Sequence, residues 1–532
     1  MSGIRSVDVI GFRTLLRFHL RRELVALVCW VGGTAALIGV QSVASQSFYD
    51  TPEELAALRE TIGANPAVLA FAGPVELLEN IGGEIVFEVF GYAAVVVALM
   101  SMLLVGRLTR TDEETGRTEL IRSARVGRAA PVATALALAG VANLAVAVAV
   151  AVTAIATGLP VGGSVLTGVA LAGVGCVFAA FTALAAQVFD NPRSVYGATT
   201  AALGLAYLLR AVGDVGSGVA SWISPIGWAQ RTLPYAGDRW WPLVLPLVAT
   251  AVTVVAAGVV SEHRDFGAGL LGDRPGRAGA SRFLRSTTGL AWRLHRGSIL
   301  AWTVGVLVLA AAYGSFADAV VEFVAENPDV AAFLPGGAAD AVNSYLALTL
   351  TITALLAAAH GVNGALRARR EETSDRVELV VAARTDRLAW FAGHVAMAVG
   401  GATVVMLIGA AGEGFAHALA SDDPGQIPRL VAASTVYLPG IWLMVGVAVA
   451  GMGLLPRLAA ALAWTYVAYC VVTEVLGESF RLPDRMLLAS PFRHLPQAPL
   501  DAVTPGGIIV VTLCAVIALA AGFVGLIRRD LG

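Results

Sequence analysis

No lysine occurs among the 532 residues, so all 36 basic residues are arginines. A Walker A loop uses its lysine to hold the β- and γ-phosphates of a bound nucleotide. The absence of lysine therefore excludes a standard P-loop ATPase site from this chain. If ATP powers the protein, another subunit has to bind it. An arginine-only chain rich in Ala, Val and Gly is also typical of a high-GC bacterial genome.

Cysteine and histidine are scarce too, and neither is clustered. The seven histidines are dispersed, and no His-Glu-x-x-His pattern occurs. Cysteines in apolar stretches without CxxC spacing are typically small packing residues, so we expect no disulfide framework and no metal site. No catalytic residue is predicted either. The four cysteines are Cys29, Cys176, Cys470 and Cys514.

Charged residues make up only 14% of the chain, whereas 57% of its residues are hydrophobic. This composition and a mean hydropathy of +0.75 lie far outside the soluble globular range. A helix needs about 20 apolar residues to cross the hydrocarbon core of a membrane. Twelve stretches meet that requirement, which predicts an all-α polytopic membrane protein with 12 transmembrane helices. The predicted spans are 24–44, 86–106, 132–157, 164–188, 195–213, 242–261, 298–317, 344–364, 389–411, 430–454, 458–477 and 507–527.

The placement of arginine predicts the orientation of the spans, since loops retained in the cytoplasm carry the excess of positive charge. The connections 106–131 and 365–388 each contain six arginines, whereas 318–343 contains no basic residue. We therefore expect a multi-pass protein of the plasma membrane with both termini in the cytoplasm.

The residues ahead of the first span favour an interfacial amphipathic helix over 8–22. Phe12 and Leu16 recur at helical spacing, and Arg13 and Arg17 form the adjacent stripe. An ordinary basic flank of the first span is the alternative interpretation.

The chain contains an internal repeat. Pro192-Arg193 returns as Pro456-Arg457, and Ser224-Pro225 returns as Ser490-Pro491, at nearly constant displacement. Such ordered landmarks indicate a tandem duplication. We predict a first six-helix domain over 1–267, a cytoplasmic linker over 268–288 and a second six-helix domain over 289–532. Because each half has an even number of spans, the two copies would share one orientation.

The repeat includes two charged segments, 107–130 and 365–388, that each contain an apolar edge. A helix of this kind can insert its apolar edge into a partner's groove while its ionic rim fixes the register. We therefore predict that the two segments bind a pair of identical soluble partners; a solvated charged connection is the alternative. The predicted contact residues are Glu113, Glu114, Arg117, Glu119, Leu120, Arg125 and Arg128 in the first copy and Glu371, Glu372, Arg376, Glu378, Leu379, Arg384 and Arg387 in the second.

Polar side chains within the spans are the candidates for a substrate path. An ionisable group inside a membrane is costly, which makes each one a functional hypothesis. Hydrogen bonding between helices is the alternative for each of them. The candidates are Glu84, Glu88, Asn143, Gln187, His360, Asn363 and Glu474.

The Glu-Glu-x-Gly-x-x-Glu-Leu pattern of Glu113 to Leu120, followed by an Arg-bearing segment, resembles the coupling helix of type-two ABC transporter permeases. Specifically, it resembles the duplicated exporters of the polyketide-antibiotic and multidrug efflux family, whose activity would imply antibiotic resistance. In the second copy Ser374-Asp375 replaces Gly116, so the two docking surfaces are not expected to be equivalent.

The resemblance implies two six-helix domains on one chain, paired with two copies of a cytoplasmic ABC ATPase that bind ATP and Mg²⁺. No cofactor would be bound by this chain itself. The permease would move hydrophobic or amphipathic drug-like molecules out of the cell, and no nucleic acid would be involved.

Two other functions remain open at this stage. Gly106, Asp112 and Gly116-Arg117 loosely resemble a loop of major facilitator carriers, and twelve spans in two halves also fit a proton-coupled multidrug carrier. Such a carrier would need an intramembrane carboxylate that titrates during turnover. The third hypothesis is a membrane scaffold that binds a partner and transports nothing.

Overall fold

The structure is a computed structural model that describes residues 10–48, 72–263, 281–317, 340–374, 376–382, 386–475 and 484–529, together with residues 55, 56, 58, 59, 69, 70, 269, 270 and 279. Within these ranges the regular structure is helical. The chain divides into two compact units, Met1–Pro275 and Gly276–Gly532.

The first unit contains nine α-helices among its described residues. They are α1 (Phe12–Phe48), α2 (Ile81–Gly106), α3 (Asp112–Glu114), α4 (Arg117–Arg122), α5 (Ala130–Ala156), α6 (Val161–Val188), α7 (Pro192–Val215), α8 (Pro225–Gln230) and α9 (Val244–His263). Its core lies where α1, α2, α5 and α6 meet, and it includes Phe87, Phe90 and Val97 from α2 and Leu138 from α5.

The second unit has the same number of α-helices within the part of it that the structure describes. They are α10 (Thr287–Ser315), α11 (Ala341–Thr373), α12 (Arg376–Ala382), α13 (Arg387–Ala420), α14 (Gln426–Ser434), α15 (Leu438–Leu454), α16 (Ala459–Val475), α17 (Asp484–Leu487) and α18 (Pro505–Arg528). α10 packs along α13 and α15 packs along α18, while α11 contacts both pairs.

Eleven helical segments of the described chain are long and apolar enough to cross a membrane. The prediction of an all-helical, polytopic membrane protein is thereby confirmed. Within the predicted span 458–477, the described part of α16 has 17 residues. At 1.5 Å per residue this part is about 26 Å long, somewhat less than the thickness of the hydrocarbon core. The arrangement of twelve spans in two six-helix domains therefore stays a prediction.

The amino-terminal region differs from the expected interfacial helix over 8–22. Residues 12–22 form the first turns of α1, a continuous helix of 37 residues that includes the first predicted span; residues 8 and 9 lie outside the described ones. Arg22 and Glu23 sit where a separate interfacial helix would have to end, and salt bridges hold both side chains inside the unit. The helix therefore has no reason to break at this point.

Small residues allow the closest helix contacts in the second unit. A Cβ added to Gly522 of α18 would lie 2.5 Å from the carbonyl oxygen of Val449 in α15, and one added to Gly453 would lie 2.2 Å from the carbonyl oxygen of Gly522. Backbones that approach this closely are typical of membrane helix interfaces. The α15–α18 pair therefore depends on the absence of side chains at these positions.

Gly522→Ala is expected to destabilise the protein by about 1–3 kcal/mol, since the added methyl group meets backbone that cannot move aside. The control is Gly506→Ala in the first turn of α18, where an added Cβ has open space. The measurement is the thermal unfolding temperature of the purified protein in detergent. Equal unfolding temperatures for the two variants would contradict the close α15–α18 contact.

Candidate functional site

The first charged segment, 107–130, begins as a direct continuation of α2. A π-helical turn, Arg107–Thr111, joins α2 to α3, and the helix then ends at Gly116. Gly116 has a φ of +72°, a left-handed conformation that glycine adopts without a steric penalty. This turn separates α3 from α4.

A network of buried and half-buried charges fixes the start of this segment to α1. Arg22 contacts Glu23 at 3.0 Å and Asp112 at 2.9 Å, and Arg107 contacts the second oxygen of Glu23 at 2.9 Å. Arg117 of α4 reaches the other oxygen of Asp112 at 3.4 Å. Four helical elements, α1, the π-helical turn, α3 and α4, are therefore joined through two buried carboxylates.

Arg110 extends the attachment to α6, although the sequence analysis did not select it. Its side chain is 1% exposed, its Nε donates to the carbonyl oxygen of Ala186 at 2.7 Å, and its Nη1 contacts Glu113 at 2.8 Å. Glu113 is thereby turned toward the protein interior. The i, i+3 spacing of Arg110 and Glu113 was the sequence signal that could have identified this pair.

The opposite face of α4 is exposed. The side chain of Leu120 is 77% exposed, and Glu114, Glu119 and Arg125 are exposed around it. Thr118, on the other face of the short helix, is buried. The first segment thus exposes one large apolar side chain together with three charged ones.

Arg128 and Arg387, predicted as a matched pair of partner contacts, both bond to backbone within their own unit. Arg128 donates to the carbonyl oxygen of Ser261 near the end of α9, at 3.1 Å. Arg387 donates to the carbonyl oxygens of Leu526 and Arg529 at the end of α18, the latter at 2.9 Å. The last carbonyls of a helix lack intrahelical partners and favour a cation. Both arginines therefore cap the last long helix of their unit.

The second segment, 365–388, likewise consists of the end of a long helix followed by a short one. α11 continues nine residues beyond the predicted span to Thr373, and α12 follows after Ser374. Val377 is buried at the position that matches Thr118, whereas Arg376 and Glu378 are exposed. Arg384 lies outside the described residues, and the side chain of Leu379 is outside them as well.

The two copies differ at the second glutamate of the Glu-Glu pair. Glu372 is buried and receives both terminal nitrogens of Arg529, at 2.5 and 2.9 Å, as well as Arg369 at 2.9 Å. Its counterpart Glu114 is exposed. Glu371 lies 3.8 Å from Arg367 and 3.9 Å from Arg376. In the second unit the segment is therefore attached to α18 on both sides of α12.

In the first unit, the candidate path residues occupy separate places. Glu84 is buried in the first turn of α2, with Glu88 one turn farther along. Asn143 donates to the hydroxyl of Ser101 at 3.0 Å, a bond between α5 and α2. Gln187 donates to a carbonyl of its own helix, that of Ala183. Asn143 thus makes the bond between helices that was the alternative to a path residue, whereas the bond of Gln187 lies within α6.

In the second unit, two of the three candidates contact arginine. Asn363 accepts a hydrogen bond from Arg370 at 3.0 Å, and Glu474 lies 3.9 Å from Arg493. His360 is buried beside Trp302, with ring centroids 5.8 Å apart. No group of three or more potential metal ligands occurs in the part of the chain that the structure describes.

The sequence comparisons bear directly on this helical arrangement. Residues 284–526, which contain α10 to α17 and most of α18, match the family model described as "Multidrug efflux system permease Rv1217c, C-terminal domain". The "Multidrug efflux system permease protein Rv1217c" of Mycobacterium tuberculosis (strain ATCC 25618 / H37Rv) is 38% identical over 497 residues, which cover 93% of this chain and 90% of that protein. The chain belongs to this permease family.

The prediction that the chain belongs to a multidrug efflux permease family is confirmed. Membership of the type-two ABC transporters stays a prediction. The family model begins within the 3₁₀ turn Arg282–Arg285 that precedes α10, and it includes the whole second charged segment. The match to the Rv1217c permease covers 93% of the chain and therefore includes residues of both units.

Glu372→Ala is expected to destabilise the permease by about 3 kcal/mol, the low end for a broken buried ion pair, because it leaves Arg529 and Arg369 without their carboxylate. The matched control is Glu114→Ala, which removes an exposed carboxylate and should change stability by less than about 0.5 kcal/mol. Thermal unfolding of both variants in detergent measures the difference. If the two variants melt alike, Glu372 does not hold α18 to the segment.

Proposed function

We propose that this chain is the membrane permease of an ATP-driven exporter. In this proposal the segments 107–130 and 365–388 each receive one cytoplasmic ABC ATPase subunit, and these subunits bind ATP and Mg²⁺. The permease contributes two six-helix domains, 1–267 and 289–532, and has no ATPase site of its own. The absence of lysine supports the division of labour, since a P-loop cannot be completed within this chain.

The proposal is supported mainly by the way in which the short helices α4 and α12 are attached to their units. α4 and α12 each bury one side, at Thr118 and Val377, and expose charged residues on the other. Each follows a long helix whose end is held by salt bridges. A short helix that is exposed on one side and rigidly attached on the other suits the transmission of movement from a soluble partner.

The bonds of the first segment indicate where such a movement would go. Asp112 joins α3 to α1 through Arg22, and Arg110 joins the π-helical turn to the end of α6. A displacement of α4 would therefore shift the ends of α1, α2 and α6 together. ATP changes the access to the path only if its binding favours one arrangement of these helices over another.

The proposed membrane orientation is supported by the arginine content of the two segments, and the proposed substrate class by the related permease. The cytoplasmic location of both segments is supported by their six arginines each. The related Mycobacterium tuberculosis protein is described as a multidrug efflux permease. Together with the apolar helices of this chain, that description supports the export of hydrophobic or amphipathic drug-like molecules across the plasma membrane.

Leu120→Asp is expected to reduce co-purification of the ATPase subunit at least tenfold, because a charge replaces the apolar side chain at the centre of the exposed face of α4. The control is Val503→Asp, a similar change at a side chain that is 61% exposed and precedes α18. Affinity purification of the permease from cells that express both subunits measures the retained ATPase. Equal recovery of the ATPase with both variants would exclude docking at this face.

Transport assays separate this function from the proton-coupled carrier. The purified permease should hydrolyse no ATP alone, and vesicles that contain it should accumulate substrate only when the ATPase subunits and ATP are supplied. Uptake driven by a pH gradient in the absence of ATP would contradict the proposal. A partner that binds without stimulating any transport would instead favour the scaffold.

A further inference from the structure

Most carboxylates buried among the described residues have an arginine within 4 Å, and the exceptions are Glu84 and Glu413. Glu23 and Asp112 both contact Arg22, and Asp214 lies 3.3 Å from Arg231. Glu413 of α13 is the most completely buried of these groups, at 0% exposure, and it has no basic side chain at that distance within the described chain. A carboxylate without a counter-charge in packed apolar surroundings is strongly disfavoured.

The burial of Glu413 follows from its glycine neighbours. Gly412 and Gly414 flank it, and added Cβ atoms there would lie 2.4 Å from α10 and 2.9 Å from α14, respectively. Gly314 of α10 packs directly on the carbonyl oxygen of Glu413 itself. α10 and α14 therefore close over α13 from two sides and exclude water from this carboxyl group.

The hydrogen-bond geometry of Thr349 in α11 is compatible with a proton on Glu413. The Thr349 hydroxyl oxygen lies 3.0 Å from the carbonyl oxygen of Tyr345, 3.1 Å from that of Leu346 and 2.6 Å from Oε1 of Glu413. A hydroxyl group has one proton but can accept two further bonds. If that proton goes to the backbone of its own helix, the 2.6 Å contact requires a proton on Glu413.

The other polar groups around Glu413 form no salt bridge with it among the described residues. Tyrosine phenols face it from α10, from α11 and from the turn ahead of α15, and such phenols are neutral near pH 7. Arg429 of α14 is directed to Gln426 and Asn343, and His417 lies one turn farther along α13. The connection 318–339 contains no basic residue. The phenols are those of Tyr313, Tyr345 and Tyr437.

We propose that Glu413 is a proton-binding site of the permease. In the packing described here its carboxylic acid is neutral and donates to the Thr349 hydroxyl. When α10 and α14 separate from α13 and water enters, the O–H bond breaks, the proton passes to water, and the carboxylate keeps the electron pair. Each opening of this contact therefore releases one proton, and each closing takes one up.

Proton binding by Glu413 makes the closed packing depend on pH in one direction. The closed packing binds one proton more than the open one, so acidic conditions favour the closed state. Once the exposed carboxyl group is ionised, each unit of rising pH opposes closure about tenfold. This inference goes beyond the proposed function, because it holds whichever partner drives the permease.

Glu84 of the first unit provides the comparison. It is buried and also has no arginine within 4 Å among the described residues, but it lies in the first turn of α2. The free N–H groups of a helix start stabilise a negative charge. Glu413 lies 26 residues into α13 and has no such stabilisation.

Infrared spectroscopy of the full permease in lipid, without any ATPase subunit, tests the site. Protonated carboxylic acids have a carbonyl stretching band that ionised carboxylates lack. We expect this band at pH 7.5 in the wild type, its loss in Glu413→Gln, and its retention in Glu372→Gln, which removes a carboxylate held ionised by arginine. An unchanged spectrum in Glu413→Gln would overturn the proposal.

A second variant keeps the test decisive if Glu413→Gln does not fold. Thr349→Val removes the acceptor of the proposed bond, so the same band should shift to higher frequency as the acid loses its partner. A band that is insensitive to Thr349→Val would contradict the bond between the two side chains. Since neither measurement involves the ATPase, a failure here leaves docking at α4 and α12 unaffected, and the reverse is equally true.

Discussion

Charges buried among apolar helices have to be compensated within the protein, because neither lipid nor packed hydrocarbon can solvate them. This constraint determines how the charged segments are built. Arg22, Glu23, Arg107 and Asp112 neutralise one another where α1 meets the turn that follows α2. The carboxylates are sheltered, whereas Arg117 keeps much of its surface in water. The same groups that satisfy the burial requirement thereby fix the position of α4.

The second unit meets the same requirement with different residues. Glu372 is the buried acid here, and its main partner, Arg529, comes from the end of α18. Asp112 has an arginine, Arg370, at its matched position in the second copy. The two copies therefore share the order of their helices, whereas the charge at this position is negative in the first copy and positive in the second. Two identical subunits binding to these surfaces would meet different contacts on each side.

Hydropathy was sufficient to predict the helical membrane architecture, because span formation depends mainly on local apolar content. It could not predict that α1 and α11 extend well beyond their apolar runs, since those extensions depend on salt bridges with distant residues. Arg529 lies 157 positions from Glu372, and no local pattern connects them. Glu84 was selected from its position in a span, whereas Glu413 was overlooked because the predicted span ended at residue 411. Glu413 is buried because the glycines around it let neighbouring helices approach closely. Hydropathy averaged along the sequence does not detect such an approach.

The π-helical turn Arg107–Thr111 has a geometric consequence for the first unit. A π-helical turn contains one residue more than an α-helical turn, and such turns occur mostly as single insertions in longer helices. Its conversion to regular α-helix would rotate everything beyond it by about 100° and advance it by about 1.5 Å along the axis. Leu120 would then point in a new direction while Arg22 and Glu23 stayed in place. The salt bridge between Arg22 and Asp112 opposes this rotation, so the same contact that neutralises a buried carboxylate also sets the direction in which Leu120 points.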